Sequence, residues 1–334
     1  MRMLITGGFG FIGSHLIEEL LKDKNNQIYI VDNLSSNSLP YDYLLNEIDK
    51  DNRITFLSNL KVNKFCESEK NNFDIIYHLA SKLGPIGVLS SPGKIVKSIV
   101  EDTESLIDFC LQNNSKLINI STSEVYGGGV EGLCEENMNC IIPLESSPRL
   151  EYALGKLSSE VMLRNIYLKN NLKYINIRPF NITGPRQSGL GGFVLPRFIY
   201  QSMNNKDITI FGSGEQIRSF TNVKDLVSGI IILSKNGIYG ETYNIGNIHN
   251  KTTINELADK VIKLLNNKIK KIYLNPEEIY GNLYKESNDK YSYSNKIKNL
   301  GWNPKYDLCE TILETYIYMK KLPENLLKKI GGEN

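Results

Sequence analysis

A tyrosine and a lysine four residues apart are the clearest candidates for chemistry in this chain. In the run Tyr152-Ala153-Leu154-Gly155-Lys156 the phenol and the ammonium lie one helical turn apart on the same face. A free tyrosine has a pKa of about 10, so a phenolate base that works near neutral pH needs a pKa lower by about 3 to 4. A nearby ammonium stabilises the phenolate. The pair therefore predicts a general base.

Hydroxyl and carboxyl side chains precede this tyrosine by about thirty residues. The segment 121–127 reads Ser-Thr-Ser-Glu-Val-Tyr-Gly and follows an apolar run that predicts a strand. Ligands of open α/β sheets bind at the carboxyl ends of the strands. A hydroxyl in this segment could share a substrate proton with Tyr152, and an ordinary turn rich in Ser and Thr is the alternative.

A glycine-rich loop lies near the start of the chain, between a predicted strand at 3–6 and a predicted helix at 13–22. The loop reads Gly7-Gly8-Phe9-Gly10-Phe11-Ile12-Gly13. A phosphate can approach the backbone closely where Cβ atoms are absent, and the helix that follows offers unpaired N–H groups and a positive dipole end. We therefore predict a dinucleotide-binding loop made by Gly7, Phe9, Gly10, Phe11, Ile12 and Gly13.

An acidic residue follows the second predicted strand. Asp32 comes nineteen residues after Gly13, where a carboxylate can accept both hydroxyls of an adenosine ribose and would repel a 2′-phosphate. Between Asp32 and Lys50 the sequence has no Arg or Lys, so NAD is favoured over NADP. We assign Asp32 and Asn33 to the cofactor site, and a surface turn is the alternative reading of the two residues.

The elements that must position these residues alternate between short β-branched runs and longer amphipathic segments. Predicted strands lie at 3–6, 27–31, 54–56, 75–78, 116–121 and 174–178, and helices at 13–22, 94–111 and 152–168. This pattern predicts an α/β fold with a Rossmann-like, doubly wound parallel sheet. Glycines and prolines crowd residues 179–196 and predict long loops, where a second region begins.

That second region predicts a smaller C-terminal α/β substrate-binding domain. Its predicted elements are strands at 208–211, 242–245 and 268–274 and helices at 254–265 and 309–321. We predict an NAD-binding domain over 1–178, joined by 214–245, and a substrate-binding domain over 179–213 and 246–334.

Composition excludes several other classes of protein. With 334 residues, 41% hydrophobic and 23% charged, the chain has the composition of a globular protein. Its net charge of +2 disfavours nucleic acid or an anionic membrane as a partner. Five scattered cysteines and three histidines indicate neither a disulfide framework nor a metal site. We find no segment that predicts a signal peptide or a membrane span, and we expect a cytoplasmic protein.

The glycine spacing G-x-x-G-x-x-G resembles the short-chain dehydrogenase/reductase superfamily. Together with the tyrosine-lysine pair, three further runs resemble the extended members that act on nucleotide sugars: Arg-Pro-Phe-Asn-Ile-Thr-Gly-Pro at 178–185, the run at 210–225, and Leu-Gly-Trp at 300–302. The resemblance spans nearly the whole chain. It implies NAD as cofactor, a nucleoside-diphosphate sugar (UDP, GDP or dTDP) as substrate, and a homodimer formed through the helices at 94–111 and 152–168.

The resemblance also implies roles for individual residues. Tyr152 would take the proton of the sugar C4 hydroxyl, with Thr122 as its hydroxyl partner and Lys156 holding both Tyr152 and the nicotinamide ribose. The positive nicotinamide would help Lys156 to lower the pKa of Tyr152. Further assignments are Leu79, Ala80 and Ser81 beneath the cofactor, and Asn181, Arg186, Arg197 and Arg218 on the substrate, with Asn181 and Arg218 at the diphosphate.

Oxidation of the sugar C4 hydroxyl would give a 4-keto sugar. The residues after Thr122 help to predict how that 4-keto sugar reacts further. Dehydratases of the dTDP-glucose kind have an Asp-Glu pair where this chain has Ser123 and Glu124, whereas GDP-mannose dehydratases and UDP-glucuronate decarboxylases resemble the Thr-Ser-Glu order. Decarboxylases also show an R-x-P-D run where this chain has Asp-Lys-Tyr-Ser at 289–292, which leaves only Lys285 or Lys290 as a second cation.

A nucleotide-sugar 4-epimerase is the leading interpretation. All the side chains needed for C4 oxidation are present, whereas those needed for dehydration and for decarboxylation are only partly present. The alternatives are a 4-dehydrogenase that releases the 4-keto sugar, a 4,6-dehydratase, a UDP-glucuronate decarboxylase and, outside enzymes, an NAD-sensing regulator. Glu101 and Asp102 also depart from the family pattern below the active site, and the sequence offers no account of them.

Overall fold

The computed structural model describes residues 1–35, 39–49, 51–81, 91–127, 131–142, 148–189, 192–266, 268–281 and 289–332. The strands within these ranges are Arg2–Thr6 (β1), Gln27–Val31 (β2), Ile54–Ser58 (β3), Ile75–His78 (β4), Lys116–Ile120 (β5), Tyr174–Pro179 (β6), Ile182–Thr183 (β7), Ile208–Phe211 (β8), Ile217–Ser219 (β9), Thr221–Asn222 (β10), Thr242–Ile245 (β11), Lys251–Thr253 (β12) and Lys271–Leu274 (β13).

The helices in the same ranges are Phe11–Leu20 (α1), Tyr41–Ile48 (α2), Val62–Ser68 (α3), Ile95–Asn113 (α4), Pro148–Asn170 (α5), Val194–Met203 (α6), Val223–Asn236 (α7), Ile254–Leu264 (α8), Pro276–Tyr280 (α9), Asn295–Lys298 (α10), Leu308–Lys320 (α11) and Glu324–Gly331 (α12). Short 3-10 turns lie at Ser123–Tyr126 and Ile248–Asn250.

The central sheet has seven strands in the order β11-β6-β5-β4-β1-β2-β3, and all neighbours run parallel. The predicted α/β fold with a Rossmann-like parallel sheet is confirmed. The strand order reverses between β1 and β4, so a crevice opens beyond the carboxyl ends of these two strands. The glycine loop follows β1 and the segment 79–81 follows β4, which places both predicted cofactor segments at this crevice.

Helices cover both faces of the sheet because neighbouring residues of each strand point to opposite sides. Ile5 of β1 belongs to a buried cluster with Leu16 of α1 and Leu226 of α7. Leu4, the adjacent residue of β1, belongs to a second cluster with Leu106 of α4, on the other face. The near-continuous apolar runs of the strands thus follow from burial on two sides.

The C-terminal region adds smaller sheets beside the central one. β8 pairs in parallel with β13, and β9 pairs antiparallel with β12. β11 instead joins the central sheet next to β6. Trp302 is buried and donates through Nε1 to the main-chain oxygen of Asp225 at 3.0 Å, so this landmark of the C-terminal run is a packing residue. The exact division into two domains stays a prediction.

Some of these elements were not predicted. Within the glycine- and proline-rich stretch predicted as loop, α6 begins at Val194 and contains Pro196 in its first turn. Proline is tolerated there because the first N–H groups of a helix have no intrahelical partner. The helices α2, α3 and α7 also lay outside the predicted elements. The predicted helices and strands otherwise occur with shifts of a few residues at their ends.

Candidate active site

The glycine loop presses its backbone against the neighbouring strand ends. Gly7 has φ +70°, and a Cβ on it would lie 2.8 Å from the main-chain nitrogen of Ala80. A Cβ on Gly13 would collide with the main-chain oxygens of Gly7 and Gly8. At Gly10 the nearest atom is 3.2 Å away and is the Gly7 oxygen. The loop is therefore closely packed at Gly7 and Gly13 and more open at Gly10, which directly precedes helix α1. A phosphate-binding loop requires this arrangement.

Asp32 lies at the end of β2 with 6% of its surface exposed. Its carboxylate accepts hydrogen bonds from the main-chain N–H groups of Phe9 at 3.0 Å and Leu34 at 2.8 Å. Burial raises its pKa, and these two hydrogen bonds act in the opposite direction. A carboxylate has about four acceptor sites, so Asp32 keeps capacity for ribose hydroxyls while it fixes the glycine loop.

The other residues predicted for the cofactor differ in what they contribute. The Phe9 ring is buried against Tyr41 and Phe56, so Phe9 serves the loop through its backbone. Phe11 and Ile12 are half-buried at the start of α1, and the exposed Asn33 accepts a hydrogen bond from the main-chain nitrogen of Ser35 at 3.1 Å.

The segment 79–81 is fixed from beneath by Thr6 at the end of β1. The Thr6 main-chain oxygen accepts from the Leu79 N–H at 3.1 Å, and its hydroxyl accepts from the Ala80 N–H at 3.2 Å. The same hydroxyl contacts Nδ1 of His78 at 2.8 Å. Burial lowers the pKa of His78 to about 3, so its ring is neutral at physiological pH. Residues 79–81 are therefore brought to the crevice opposite the glycine loop.

Tyr152 and Lys156 lie on α5 where this helix packs against α4. A Cβ on Gly155 would lie 2.9 Å from a methyl group of Ile99, which shows how closely the two helices approach. Tyr152 is 6% exposed and Lys156 is 2% exposed. The Lys156 ammonium lies 6.0 Å from the centroid of the Tyr152 ring. The two side chains are thus brought together as the helical spacing predicts.

Thr122 reaches the same place from the end of β5. It precedes the turn Ser123–Tyr126, and its hydroxyl accepts a hydrogen bond from the Glu124 N–H at 3.2 Å. The hydroxyls of Ser81 and Thr122 both act to lower the pKa of Tyr152. Ser123 beside it is 4% exposed.

Burial and the negative charge of Glu124 outweigh those hydroxyls and raise the pKa of Tyr152 above its ordinary value. Burial lowers the pKa of Lys156 to about 8, whereas the nearby Asp102 and Glu160 act to raise it. The expectation that Lys156 lowers the pKa of Tyr152 is therefore not met by the protein alone. The positive charge of the nicotinamide is the second group predicted to lower the pKa of Tyr152, and this remains a prediction.

Asp102, which the sequence left without an account, lies on α4 near Lys156. Its Oδ1 accepts a hydrogen bond from the Asn63 N–H at 3.2 Å. Burial raises the pKa of Asp102 to about 6, opposed by that hydrogen bond and by the charge of Lys156. Asp102 thus adds a half-buried negative charge near Lys156.

A buried ion pair that sequence reasoning missed supports the strand end before Thr122. Glu160 and Arg178 approach to 2.5 Å, with 8% and 7% of their side chains exposed. The Ser121 hydroxyl donates to the same carboxylate, and Arg178 donates to the Tyr126 hydroxyl at 2.7 Å. The sequence signal was Glu160 itself, four residues after Lys156 on the same helix face.

A second, partly buried ion pair joins Glu124 to Lys290. The Lys290 Nζ lies 2.5 Å from Glu124 Oε1, and the lysine side chain is 3% exposed. Lys290 is one of the two cations weighed from the sequence, and Lys285, the other, lies outside the described residues. A cation therefore accompanies the carboxylate next to Thr122.

Asn181 and Arg218 meet beside this lysine. The main chain of Arg218 forms a bridge to that of Lys290, and the Asn181 side-chain nitrogen donates to the Ser219 and Lys290 main-chain oxygens at 3.3 and 3.5 Å. Arg218 is 7% exposed and lies 4.0 Å from Asp289. The two residues predicted to contact a diphosphate are thus placed together beside Lys290.

The remaining predicted arginines lie elsewhere. The Arg197 guanidinium stacks over the Phe211 ring at 3.9 Å. Arg186 is not placed with the other substrate residues: its guanidinium pairs with Glu18 of α1 at 2.9 Å and with Glu47 of α2 at 2.7 Å. Two carboxylates already neutralise it, so the assignment of Arg186 to the substrate is not supported. Through these two ion pairs, Arg186 connects its loop to helices α1 and α2.

The described ranges contain neither a metal-binding cluster nor a membrane-spanning helix. Histidine, cysteine and acidic side chains there form no cluster of three or more suited to a metal ion. None of the helices described is both long and apolar enough to span a membrane.

The fold and the site define an NAD-binding Rossmann protein that carries a buried tyrosine-lysine pair. The chain belongs to the NAD dependent epimerase/dehydratase family, whose model matches residues 3–246. It is an NAD-dependent nucleotide-sugar enzyme, as the resemblance implied.

Relatives cover nearly the whole chain. It is 31% identical over 323 residues to the UDP-N-acetyl-alpha-D-glucosaminuronate decarboxylase of Bacillus cytotoxicus, covering 96% of this chain and 98% of that protein. It is 30% identical to UDP-glucuronic acid decarboxylase 3 of Arabidopsis thaliana, over 93% of this chain and 86% of that protein. The solved UDP-glucuronic acid 4-epimerase of Bacillus cereus, in complex with UDP-glucuronic acid and NAD, is similar with a TM-score of 0.82, 28% identity and coverage of 97% and 100%.

Proposed function

We propose that this enzyme oxidises the C4 hydroxyl of a UDP-sugar and reduces the 4-keto sugar on its other face, which makes it a nucleotide-sugar 4-epimerase. The observation that carries the proposal is the meeting of Thr122, Tyr152 and Lys156, three buried residues from two elements, at the crevice beside the glycine loop. UDP is proposed because similar structures bind UDP-sugars.

The residues of this site divide the work at C4. NAD, when bound, supplies the hydride acceptor, and its fit is supported by the tight glycine loop and the acceptor capacity of Asp32. Tyr152 takes the proton of the C4 hydroxyl, and Thr122 holds that hydroxyl by a hydrogen bond. Lys156 keeps a positive charge beside the phenol, and together with the positive nicotinamide this charge would favour the deprotonated form of Tyr152.

Epimerisation needs no further catalytic side chain, but it needs a pocket in which the 4-keto sugar can turn. The 4-keto sugar turns in the pocket so that its other face is reduced, and Tyr152 returns the proton to the C4 oxygen. Asn181 and Arg218 hold the diphosphate during this turn, with Arg218 supplying a guanidinium suited to two phosphate oxygens. Support for this fate comes from the similar Bacillus cereus 4-epimerase.

Decarboxylation of a UDP-hexuronate is the second candidate, and the ion pair of Glu124 with Lys290 favours it. A 4-keto hexuronate is a β-keto acid, so the C5–C6 bond can break with its electron pair passing toward the C4 oxygen, and carbon dioxide leaves. C5 must then gain a proton, and a buried acid-base pair next to Thr122 could supply it. Two similar proteins are decarboxylases by name.

Mass spectrometry of the reaction products tests the proposal and separates its fates. The purified protein is incubated with NAD and with UDP-, GDP- and dTDP-sugars, and product mass is read together with chromatographic retention. Unchanged mass with altered retention on a UDP-sugar is expected. Loss of carbon dioxide would establish the second candidate, and loss of water or of two hydrogens would overturn both. If no product forms from any of these sugars, the proposal fails and the NAD-sensing regulator is the alternative that remains.

The homodimer stays a prediction and has support from α5, where Leu154 and Val161 are 44% and 52% exposed. A monomeric mass by light scattering at micromolar concentration would contradict it. The cytoplasmic location also stays a prediction.

A further inference from the structure

A groove lies at the edge of the central sheet opposite the proposed C4 site. Its lining includes Asp74, Lys116 and Lys173, which lie at or directly before the amino ends of β4, β5 and β6. The strands are parallel, so these amino ends share one edge of the sheet, and Thr122 after β5 lies at the other. The groove has a volume of about 590 Å³, which is sufficient for a small organic molecule.

Two helices form the walls of this groove and the sheet forms its floor. Helix α1 contributes Leu20 and helix α7 contributes Ile231, while β1 contributes Met3 and β4 contributes Ile75. These four side chains give the groove an apolar middle. A molecule bound in the groove would therefore bury apolar surface against them, which favours binding.

The side chain of Tyr77, also in the lining, carries a buried hydroxyl without a hydrogen bond. Tyr77 is 1% exposed, and its hydroxyl has no partner in the described ranges. Burial raises the pKa of Tyr77, and Ser234 opposes that rise. The Ser234 hydroxyl, however, already donates to the Ile231 main-chain oxygen at 2.8 Å. A buried hydroxyl without a partner costs free energy, which a hydrogen-bonding ligand would recover.

Three lysines line the end of the groove near β5 and β6. Lys116 donates to the Ser234 main-chain oxygen at 2.6 Å, and its ammonium lies 5.1 Å from the Tyr239 ring centroid. Lys235 directly follows Ser234, and Lys173 directly precedes β6, the strand next to β5. Within the part of the chain that the structure describes, none of these three ammonium groups has a carboxylate partner.

The acidic residues of the lining lie toward β1 and α1. They are Glu19, Asp23 and Asp74. Glu19 pairs with Lys22 at 2.6 Å, and the Asp74 carboxylate accepts from the first N–H of β1 at 2.8 Å. The positive charge without a carboxylate partner is therefore concentrated at the end of the groove near β5 and β6.

The Tyr77 hydroxyl and the three lysines lie at different heights along the sheet. Ile75 of β4 pairs with Lys116 of β5, and Tyr77 is two residues further along β4. Two strand residues correspond to about 7 Å. A ligand that reaches both contacts needs a body of about that length, which a two-ring aromatic acid has.

We propose that this groove binds a small organic acid with a flat apolar body, at a site separate from that of the nucleotide sugar. The body packs on the apolar middle of the groove, and the acid group lies among Lys116, Lys173 and Lys235. A hydroxyl or carbonyl at the other end of the ligand bonds to Tyr77. Lysine suits this task because its compact charge on a flexible stem can adjust to the acid group. The inference does not depend on which reaction the enzyme catalyses.

Titration with 6-hydroxy-2-naphthoate, a fluorescent two-ring acid with a hydroxyl at its far end, tests this inference. The full chain is first saturated with NAD and UDP, so that the crevice and the proposed substrate site are occupied. We expect saturable binding. The paired change Lys173→Met with Lys235→Met should weaken it by about tenfold or more, the ratio typical of a charge-assisted contact. Lys263→Met with Lys268→Met, two exposed lysines of the C-terminal region, is the matched control.

Tyr77→Phe gives a readout that a structural role would not produce. The change removes only the hydroxyl, so the affinity for 6-hydroxy-2-naphthoate should fall by about threefold to tenfold, whereas the affinity for 2-naphthoate should not change. Because the buried hydroxyl has no partner in the described ranges, the thermal unfolding midpoint should stay the same or rise.

Absence of binding at millimolar concentrations of the probe would overturn the inference. Equal losses in the two lysine pairs, or equal effects of Tyr77→Phe on both acids, would also overturn it. The proposed function is judged separately, because conversion of a UDP-sugar is measured without these acids.

Discussion

The ammonium of Lys156 donates a hydrogen bond to the main-chain oxygen of Ile120 at 2.8 Å. Ile120 is the last residue of β5, and Thr122 follows two positions later, whereas Lys156 lies one turn after Tyr152 on α5. This bond therefore ties the helix that carries the phenol to the strand end that carries the hydroxyl. Its cost is a buried charge, and burial lowers the pKa of Lys156 to about 8.

The pH dependence of activity should reflect this lysine. Lys156 supports the phenolate only while it is protonated, so activity should be lost as the pH rises through about 8. The groups that face Lys156 are the neutral His78 and the carboxylates of Asp102 and Glu160. The measurement is kcat/KM for the nucleotide sugar at saturating NAD against pH, which reports groups of the enzyme before the sugar binds. A profile that stays flat well above pH 8 would contradict this prediction.

Asp102 should set the position of that decline. Asp102→Asn removes a negative charge that acts to raise the pKa of Lys156, so the alkaline decline of kcat/KM should move to lower pH. Glu104→Gln, an exposed carboxylate on the same helix, is the matched control and should leave the profile in place. If both variants give the wild-type profile, Asp102 acts only through its hydrogen bond to the Asn63 N–H.

Tyr152→Phe should abolish turnover without loss of fold. The change removes one oxygen from a buried side chain, and loss of a general base reduces rates by about 10²- to 10⁴-fold. Formation of the sugar product by mass spectrometry and the thermal unfolding midpoint are measured together. Tyr273→Phe is the control, because this hydroxyl is half exposed and bonds to Asn255 far from the crevice. Turnover near wild type in Tyr152→Phe would rule out the assigned base.

The sequence predicted the central sheet and the proximity of Tyr152 and Lys156 for physical reasons. Strands buried on both faces read as continuous apolar runs, and a phosphate loop needs glycines at fixed places, as Gly7 and Gly13 illustrate. The tyrosine-lysine pair is local, so its spacing on one helix is sufficient to predict that the side chains meet.

Contacts between segments that are far apart in the chain could not be predicted from the sequence. Lys290 reaches Glu124 across more than a hundred and sixty residues, and only the path of the backbone beside Arg218 brings them together. Arg186 shows the reverse case: an arginine in the right segment is turned toward Glu18 and Glu47 by a backbone with φ +67°. Spacing does not reveal the direction of a side chain outside regular elements.

Asp32→Asn should weaken NAD binding by about tenfold or more, because a charged acceptor of ribose hydroxyls is replaced by a neutral one. The amide oxygen can still accept from a backbone N–H, so the loop should remain folded. Fluorescence titration with NAD and NADP measures the effect, and the relative affinity for NADP should increase because repulsion of the 2′-phosphate is lost. Asp42→Asn, an exposed aspartate at the start of α2, is the control. Equal affinity of wild type and Asp32→Asn for NAD would remove Asp32 from the site.

The ion pair of Glu160 and Arg178 should be the most sensitive structural feature beneath the site. Both side chains are more than nine-tenths buried, so Arg178→Met leaves a carboxylate without its cation and should lower the free energy of unfolding by about 3 to 5 kcal/mol. The double variant Glu160→Gln with Arg178→Met should recover part of this loss, because neither buried charge remains. Urea unfolding followed by circular dichroism measures both.

The exposed pair of Lys328 with Glu324 provides the comparison for that experiment. Lys328→Met should change stability by less than about 1 kcal/mol, since solvent screens both charges. Because Ser121 donates to Glu160 directly before Thr122, the single variant Arg178→Met should also reduce turnover in proportion to the displacement of the strand end. Full stability in Arg178→Met would mean that the hydrogen bond from Ser121 is sufficient to hold the Glu160 carboxylate.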